Sequence, residues 1–327
     1  MDAYRAFHFG CIGASHLKKG TVCQDAAASE QTQDYRLAVV CDGHGGEDYF
    51  RSDRGSRMAV QAFRECVEKA FAPKPRKWLR RRAVRLKNKA DDFGQALNAC
   101  VTQKEIDEQL LWFARSVVTR WNLLVEEDLT TDPFKEEELA AVSDKAKARY
   151  EAGESLHKAY GTTLLGAVLT KDFWFGIHIG DGKCVVFDHE GNAAEPIPWD
   201  ENCFLNTTTS ICDSAALQEF RVFFSRHLPA AIFVGSDGID DCFADEEKLY
   251  NFYRVVLTSF ATEDEEQAQT ELMEYLHRKF SRFDDRPVDA VVLGCTHYPF
   301  ISDQVQKAAG PQAVLYDGSM GVAREIR

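Results

Sequence analysis

The chain has 327 residues, and 45% of them are hydrophobic. A chain of this length and composition can bury a sizeable core, which excludes a disordered or fibrous protein. The formal net charge of −13, from 52 acidic and 39 basic residues, argues against a nucleic-acid or anionic-membrane binder, because the field of the protein repels phosphate-rich surfaces.

The first half of the chain is predicted to be mainly helical after one buried strand. Residues 35–41 form an apolar run that predicts the strand. Apolar residues at helical spacing then predict a helix over 58–71 and a long amphipathic helix over 105–127. Between them, 74–89 is rich in Lys and Arg, which is typical of a solvated basic segment; a docking patch for an acidic partner is the alternative. We expect about 73–160 to form a helical insertion outside the sheets.

The second half is richer in strands. Short apolar runs bounded by turn residues predict strands at 163–169, 173–179, 183–188, 231–235 and 289–294. Gly180-Asp181-Gly182, between two of these runs, has the chemistry of a hairpin turn. Helical spacing follows near 245–260 and 263–281. Strands and helices in blocks predict an α+β fold in which packed sheets are flanked by helices.

Several aspartates lie where a predicted strand ends or where the chain turns tightly. The segments are Gln24-Asp25, Asp42-Gly43-His44-Gly45-Gly46, Gly180-Asp181-Gly182, Ser236-Asp237-Gly238 and Asp284-Asp285. A single Asp-Gly pair is usually only a turn. The whole set, however, supplies the carboxylate and carbonyl oxygens that Mg²⁺ and Mn²⁺ prefer. The sequence therefore predicts a site for hard divalent cations.

The cysteines point to a reducing compartment. All ten are scattered, several in apolar runs, and none forms a CxxC pair, so neither a zinc site nor a disulfide framework is predicted. The sequence shows no leader of the secretory type and no apolar run long enough to cross a membrane. We expect a soluble, cytoplasmic protein.

Four motifs occur in a fixed order along the chain. They are Val40-Cys41-Asp42-Gly43-His44-Gly45-Gly46, Gly161-Thr162-Thr163-Leu164-Leu165, Ile179-Gly180-Asp181-Gly182 and Gly235-Ser236-Asp237-Gly238. In this order they resemble the motifs of type 2C serine/threonine protein phosphatases, and the similarity runs from about Gly10 to Asp285. Ala14-Ser15-His16 with Cys23-Gln24-Asp25 is similar to a bacterial branch of that family. The resemblance implies two antiparallel β-sheets packed as a sandwich and flanked by helices, with a binuclear metal centre at one end.

The resemblance also implies which residues hold the metals, Mn²⁺ or Mg²⁺. Asp42 would bridge two cations, and Gly43 would contribute its backbone carbonyl. Asp237 and Asp284 would complete the shell of one ion, and Asp25 would serve the other.

Two further positions match functional residues of that family. Asp181 matches a position tied to a third, weaker metal, and His44 matches the general acid that protonates the leaving alkoxide. A water between two cations loses a proton near neutral pH, and a serine oxygen leaves poorly without protonation. A purely structural histidine in a glycine-rich loop is the alternative for His44.

The sequence departs from the family pattern near the first aspartate. Family members commonly have an arginine five residues before it to hold the substrate phosphate, and here that position is Gly20. The nearby candidates to replace the arginine are His16, Lys18 and Lys19.

The last motif departs as well. It reads Asp284-Asp285-Arg286-Pro287, and proline removes a hydrogen-bond donor at the start of the expected strand. Asp285 and Asp289 are therefore alternatives to Asp284 as the last ligand.

The C-terminal segment has a different resemblance. Val292-Leu293-Gly294-Cys295-Thr296-His297-Tyr298-Pro299 is similar to the C-terminal catalytic motif of glutamate racemases. That chemistry requires two thiols, and nothing upstream matches the first one. We expect a phosphatase domain over 1–287 and a racemase-like tail over 288–327 that is catalytically inert. The tail's first strand, 289–293, is expected to complete the phosphatase sheet.

The leading hypothesis is metal-dependent hydrolysis of phosphoserine or phosphothreonine in phosphoproteins. The alternative is a catalytically impaired phosphatase fold that binds phosphoproteins, a reading that the missing arginine, the altered last motif and the tail support. A racemase is the third reading and rests on the tail alone. No nucleic-acid or membrane partner is expected.

Overall fold

The computed structural model describes residues 4–10, 12, 20, 22–71, 93–203, 207–240, 242–243, 245–262, 265–285, 290–293 and 314–317. At 262, 265, 277–285, 290–293 and 314–317 it describes the backbone alone. The basic segment at 74–89 lies outside the described residues, as do His16, Lys18, Lys19, Asp289 and Cys295. Within the described ranges, no helix has the length and apolar character needed to cross a membrane.

The described strands agree closely with the sequence predictions. They are β1 (Ala26–Gln31), β2 (Tyr35–Cys41), β3 (Leu164–Thr170), β4 (Trp174–Ile179), β5 (Lys183–Phe187), β6 (Ala193–Ala194), β7 (Arg221–Ser225), β8 (Ala231–Gly235), β9 (Ala290–Leu293) and β10 (Val314–Asp317). β2 and β8 have the predicted bounds, β4 and β5 differ by one residue at one end, and β3 is shifted by one residue at both ends. β1, β6, β7 and β10 were not predicted.

The helices lie mostly between β2 and β3 and after β8. They are α1 (Ser52–Phe71), α2 (Phe93–Ala99), α3 (Gln103–Thr131), α4 (Glu136–Ala140), α5 (Asp144–Glu151), α6 (Ala216–Glu219), α7 (Asp237–Asp240), α8 (Glu246–Thr262) and α9 (Glu265–Asp285), with 3₁₀ helices at Glu47–Tyr49 and Leu156–Tyr160. α3 begins at a capping box, because the Thr102 hydroxyl accepts a hydrogen bond from the Glu105 N–H while the Glu105 carboxylate accepts one from the Thr102 N–H.

Two antiparallel sheets form the centre of the fold. The larger has the strand order β1-β2-β3-β4-β7, and the smaller has the order β6-β5-β8. Their facing sides share a cluster in which Leu165 and Leu169 of β3 meet Cys184 of β5, so the sheets pack face to face. Alternate residues of β3 and β4 point to opposite sides, and both strands are fully buried.

Helices cover the outer side of each sheet. Val39 of β2 and Phe175 of β4 share one core with Phe63 of α1 and Phe113 of α3. On the other side, α8 and α9 pack against β5 through a cluster that includes Phe187. The fold is therefore α+β, with two antiparallel sheets packed as a sandwich between helical layers, as predicted.

A buried arginine ties the helical layer to the start of α1. Arg51 is 1% exposed, and its guanidinium contacts Glu138 at 2.8 Å, Asp128 at 3.3 Å and the Tyr160 hydroxyl at 2.8 Å. A charge removed from water must be paired in this way. The network joins α3, α4 and the 3₁₀ helix before β3, which leads directly into the second motif.

Among the strands that the structure describes, β9 pairs with none of the sandwich, which corrects the expectation for 289–293. In the structure, β9 pairs in parallel with β10, in a two-stranded sheet of their own. The physical reason is that the backbone N–H and C=O groups of an apolar strand can form hydrogen bonds with any neighbouring strand whose own backbone groups are unpaired. β10 comes from the same racemase-like segment and provides that partner.

Candidate metal centre and active site

Strand ends from both sheets meet at one edge of the sandwich. β2, β4 and β8 end there, and their antiparallel neighbours β3, β5 and β7 begin there. Asp42 follows β2, Asp181 follows β4 and Asp237 follows β8. The topology therefore brings three of the predicted site aspartates to the same edge.

The first two motifs hold each other at this edge. The Asp42 N–H donates to Oγ1 of Thr163 at 2.9 Å, and the Asp42 carbonyl accepts from the Thr163 N–H at 2.8 Å. The Thr162 hydroxyl donates to the same carbonyl at 2.8 Å. Both threonines are buried. The Gly-Thr-Thr motif thus fixes the peptide that carries the Asp42 carboxylate.

Gly43 lies where two other segments approach the first motif. A Cβ atom at this position would lie 2.6 Å from the Gln24 carbonyl oxygen and 2.8 Å from that of Ser52. Both are backbone atoms, so a side chain here would force the main chain to shift. Glycine at position 43 is therefore a packing requirement of the loop.

The carboxyl group of Asp42 contacts two other predicted ligands, those of Asp25 and Asp237. Burial raises the pKa of Asp42 well above its ordinary value, and the Asp25 charge and the contact with Asp237 raise it further. Ionised carboxylates this close repel one another. The cluster is therefore stable only with a proton or a cation among its members.

The donor chemistry of this cluster fits a hard divalent cation, because every member offers oxygen. The set is incomplete as described: among the residues whose side chains the structure describes, no three carboxylate, imidazole or thiol groups converge on one point as a closed cage. Asp284 lies near the C-terminal end of α9, where the backbone alone is described. Its side chain, like that of Asp285, stays a prediction.

His44 is held through its backbone. Its N–H donates to the Gly161 carbonyl at 3.1 Å, and its carbonyl accepts from the Ser52 hydroxyl at 2.8 Å and from Nε2 of Gln24 at 3.1 Å. Its ring meets the ring of Tyr49 edge-on, 4.8 Å between centroids. Burial lowers the pKa of His44 to about 4, and the charge of Lys158 contributes.

A buried polar network holds the turn that carries Asp181. The Gly180 N–H donates to Oγ1 of Thr209 at 3.0 Å, and that hydroxyl donates to the Asp200 carboxylate at 2.7 Å. Arg221 lies 3.5 Å from the same carboxylate and donates to the Gly180 carbonyl. Gly180 has φ of 114°, which only glycine adopts readily.

Asp181 and Asp237 line one cavity of about 490 Å³, which also contains residues that sequence reasoning missed. One is Asp240, three residues after Asp237 on α7. Another is Lys183, whose ammonium lies 3.6 Å from Asp240. The i, i+3 spacing of the two aspartates on a helical turn was the available signal for Asp240.

The family model for protein phosphatase 2C matches residues 12–277. Among solved structures, the serine/threonine phosphatase Stp1 from Staphylococcus aureus is 15% identical and is covered over 85% of its length by 80% of this chain, with a TM-score of 0.45. The Mycobacterium tuberculosis serine/threonine phosphatase PstP/Ppp is 11% identical over 84% of this chain and 91% of that one, with a TM-score of 0.41.

A second similarity concerns a short piece of the chain. Glutamate racemase from Clostridium botulinum (strain 657 / Type Ba4) is 43% identical over 53 residues, which is 16% of this chain and 21% of that protein. The chain therefore spans about a fifth of the length of the curated relatives it matches.

Proposed function

The chain belongs to the protein phosphatase 2C family, and we propose that it hydrolyses phosphoserine and phosphothreonine in phosphoproteins with Mn²⁺ or Mg²⁺ at the aspartate cluster. One observation carries the proposal: the carboxyl of Asp42 contacts those of Asp25 and Asp237, which come from distant parts of the chain. Such a cluster of oxygen donors requires positive charge.

Asp25, Asp42, Asp237 and the Gly43 carbonyl would hold two ions, with Asp284 as a further ligand and Asp181 near a third. When bound, divalent cations supply an activated water at neutral pH and neutralise phosphoryl oxygens. The protein's own contribution is positioning, which phosphoryl transfer needs more than covalent assistance. The Thr162 and Thr163 hydrogen bonds to Asp42 support that role.

His44 would donate a proton to the departing serine or threonine oxygen. Because the pKa of His44 is lowered to about 4, the imidazole is neutral in the free protein at neutral pH. A phosphate dianion bound beside it favours the protonated form. We therefore propose that His44 becomes an acid only when the substrate is bound.

The alternative of a phosphoprotein-binding module without activity is not favoured, because a cluster of carboxylates repels a phosphate group unless a metal ion is bound. Racemisation of glutamate would need a second thiol, and the matched relatives share only a fifth of their length with this chain. A cytoplasmic location and an inert tail stay predictions.

Hydrolysis of p-nitrophenyl phosphate tests the proposal. We expect activity with Mn²⁺, none with EDTA, and none in Asp42→Asn. The matched control is Asp172→Asn, in the turn between β3 and β4 at the opposite end of the larger sheet, which should retain activity. Full activity in EDTA would refute the metal mechanism.

A further inference from the structure

A lysine is joined to the backbone of His44 through one glycine. Lys158 lies in the 3₁₀ helix Leu156–Tyr160, and its carbonyl accepts a hydrogen bond from the Gly161 N–H at 3.1 Å. The Gly161 carbonyl in turn accepts from the His44 N–H at 3.1 Å. These two hydrogen bonds therefore fix the position of the Lys158 backbone relative to the His44 backbone.

The two side chains flank one aromatic ring. The Lys158 ammonium lies 5.7 Å from the centroid of the Tyr49 ring, and the same ring meets His44 at 4.8 Å. A Cβ atom on Gly161 would lie 2.6 Å from Tyr49 and 2.7 Å from His44, so glycine allows both rings to pack on the backbone.

Three other basic side chains at this edge, among the residues whose side chains the structure describes, are already paired with carboxylates. Lys183 has three carboxylates within 3.6 Å, Arg221 is paired with Asp200, and Arg57 is paired with Asp53. Lys158 differs from them, because in the part of the chain that the structure describes no carboxylate lies within 4.0 Å of its ammonium. An aromatic face attracts this charge without neutralising it.

A lysine ammonium that is not paired with a carboxylate is available to an anionic ligand. Phosphoryl transfer needs positive charge on the non-bridging oxygens, and a lysine ammonium provides it as a point charge with three donors. Gly20 cannot provide this charge, since it has no side chain.

We propose that Lys158 binds a phosphoryl oxygen of the substrate beside His44, on the side from which the leaving oxygen is protonated. The inference deepens the proposed phosphatase function and rests on it. It makes Lys158 a substrate-binding residue and leaves metal binding to the aspartates.

Two variants separate charge from packing. Lys158→Met keeps the apolar stem against Tyr49 and removes the charge, whereas Lys158→Arg keeps the charge. We expect Lys158→Met to weaken competitive inhibition by inorganic phosphate about 10- to 100-fold, as the loss of one hydrogen bond to a charged group implies. The KM for p-nitrophenyl phosphate should rise in parallel, while the Mn²⁺ concentration for half-maximal activity stays unchanged. Lys158→Arg should remain close to the wild type.

The control is Lys171→Met, in the turn at the far end of β3, which should change neither constant. An unchanged phosphate inhibition constant in Lys158→Met would overturn the proposal, as would equal losses in the Met and Arg variants. If the wild type hydrolyses nothing, the proposed function fails. Calorimetric titration of the Mn²⁺-loaded variants with inorganic phosphate then decides the role of Lys158 by itself.

Discussion

Asp42 and Thr163 exchange two hydrogen bonds, one from each main-chain N–H, across 121 positions of sequence. The acceptor for the Asp42 N–H is the threonine hydroxyl, so its removal leaves a buried donor without a partner. We expect Thr163→Val to lower the free energy of unfolding by about 1–3 kcal/mol and to weaken Mn²⁺ activation. Thr163→Ser keeps the hydroxyl and should retain most of both. Denaturant unfolding and Mn²⁺ titration of activity measure the two effects; equal behaviour of Val and Ser would contradict the expected role of the hydroxyl.

Removing one carboxylate should separate metal binding from folding. Asp237→Asn relieves repulsion at Asp42 in the metal-free protein, so its melting temperature without metal should equal or exceed that of the wild type. Added Mn²⁺ should raise the melting temperature of the wild type and not that of the variant, because a ligand stabilises only the state that binds it. The same Mn²⁺-induced increase in melting temperature in both proteins would show that Asp237 is not a metal ligand.

The proposed acid can be tested with two leaving groups. His44→Ala should reduce turnover of a phosphopeptide by roughly 10²–10⁴ and that of p-nitrophenyl phosphate much less, since nitrophenolate leaves without protonation. The hydrogen bonds at His44 use its backbone, so the variant should keep the loop. Equal losses on both substrates would assign His44 a structural role.

The crowding at Gly43 predicts a contrast with a glycine two positions away. Gly43→Ala places a methyl group 2.6 Å from the Gln24 carbonyl oxygen, whereas Gly45→Ala places one 3.7 Å from the Gln24 side chain. Gly43→Ala should cost about 1–3 kcal/mol of stability and most of the activity, and Gly45→Ala should be close to neutral. Thermal melts and activity assays of both variants measure the two effects. A stable, active Gly43→Ala protein would contradict the close backbone packing at Gly43.

Acid sensitivity should arise in part from His178. It is 2% exposed, and burial, with Arg221 nearby, lowers its pKa well below the ordinary 6.5. Below pH 6.5 the unfolded chain takes up a proton that the folded protein does not, so stability is complete above that pH and falls as the pH drops, by up to about 1.4 kcal/mol per unit.

The variant His178→Leu should not show this loss of stability at low pH, because leucine takes up no proton on unfolding. The difference in free energy of unfolding between the variant and the wild type should shift by about 2 kcal/mol in favour of the variant's folded state between pH 7.5 and pH 5. The control is His189→Leu, in the exposed turn after β5, which should show no such difference. Urea unfolding at the two pH values is the measurement, and a pH-independent difference for His178→Leu would contradict the assignment.

Much of the fold could be predicted because burial leaves a regular pattern. The β2 and β8 runs are apolar, and the stripe of α3 repeats at helical spacing. β1 was missed because its sequence, Ala-Ala-Ala-Ser-Glu-Gln, is that of a half-buried edge strand. The partner of β9 was missed because strand pairing depends on spatial neighbours, which no local pattern records.

The candidate residues Asp42, Asp181 and Asp237 could be selected from the sequence because each lies in a motif that combines a strand end with Asp-Gly; their role as metal ligands stays a prediction. The residues that hold the turn at Asp181 in place could not be predicted. Asp200, Thr209 and Arg221 lie in segments without a motif and act only through contacts made after folding. Lys158 was missed for the same reason, since its relation to His44 passes through Tyr49 and Gly161.

Asp42 and Asp237 reach each other from different sheets, so the gap between them depends on how the two layers of strands are stacked. Leu165 and Cys184 lie between those layers and act as spacers. A larger side chain at that depth would widen the gap without touching either carboxylate. The geometry of the carboxylate cluster can therefore be altered from within the interior, without any substitution at the cluster itself.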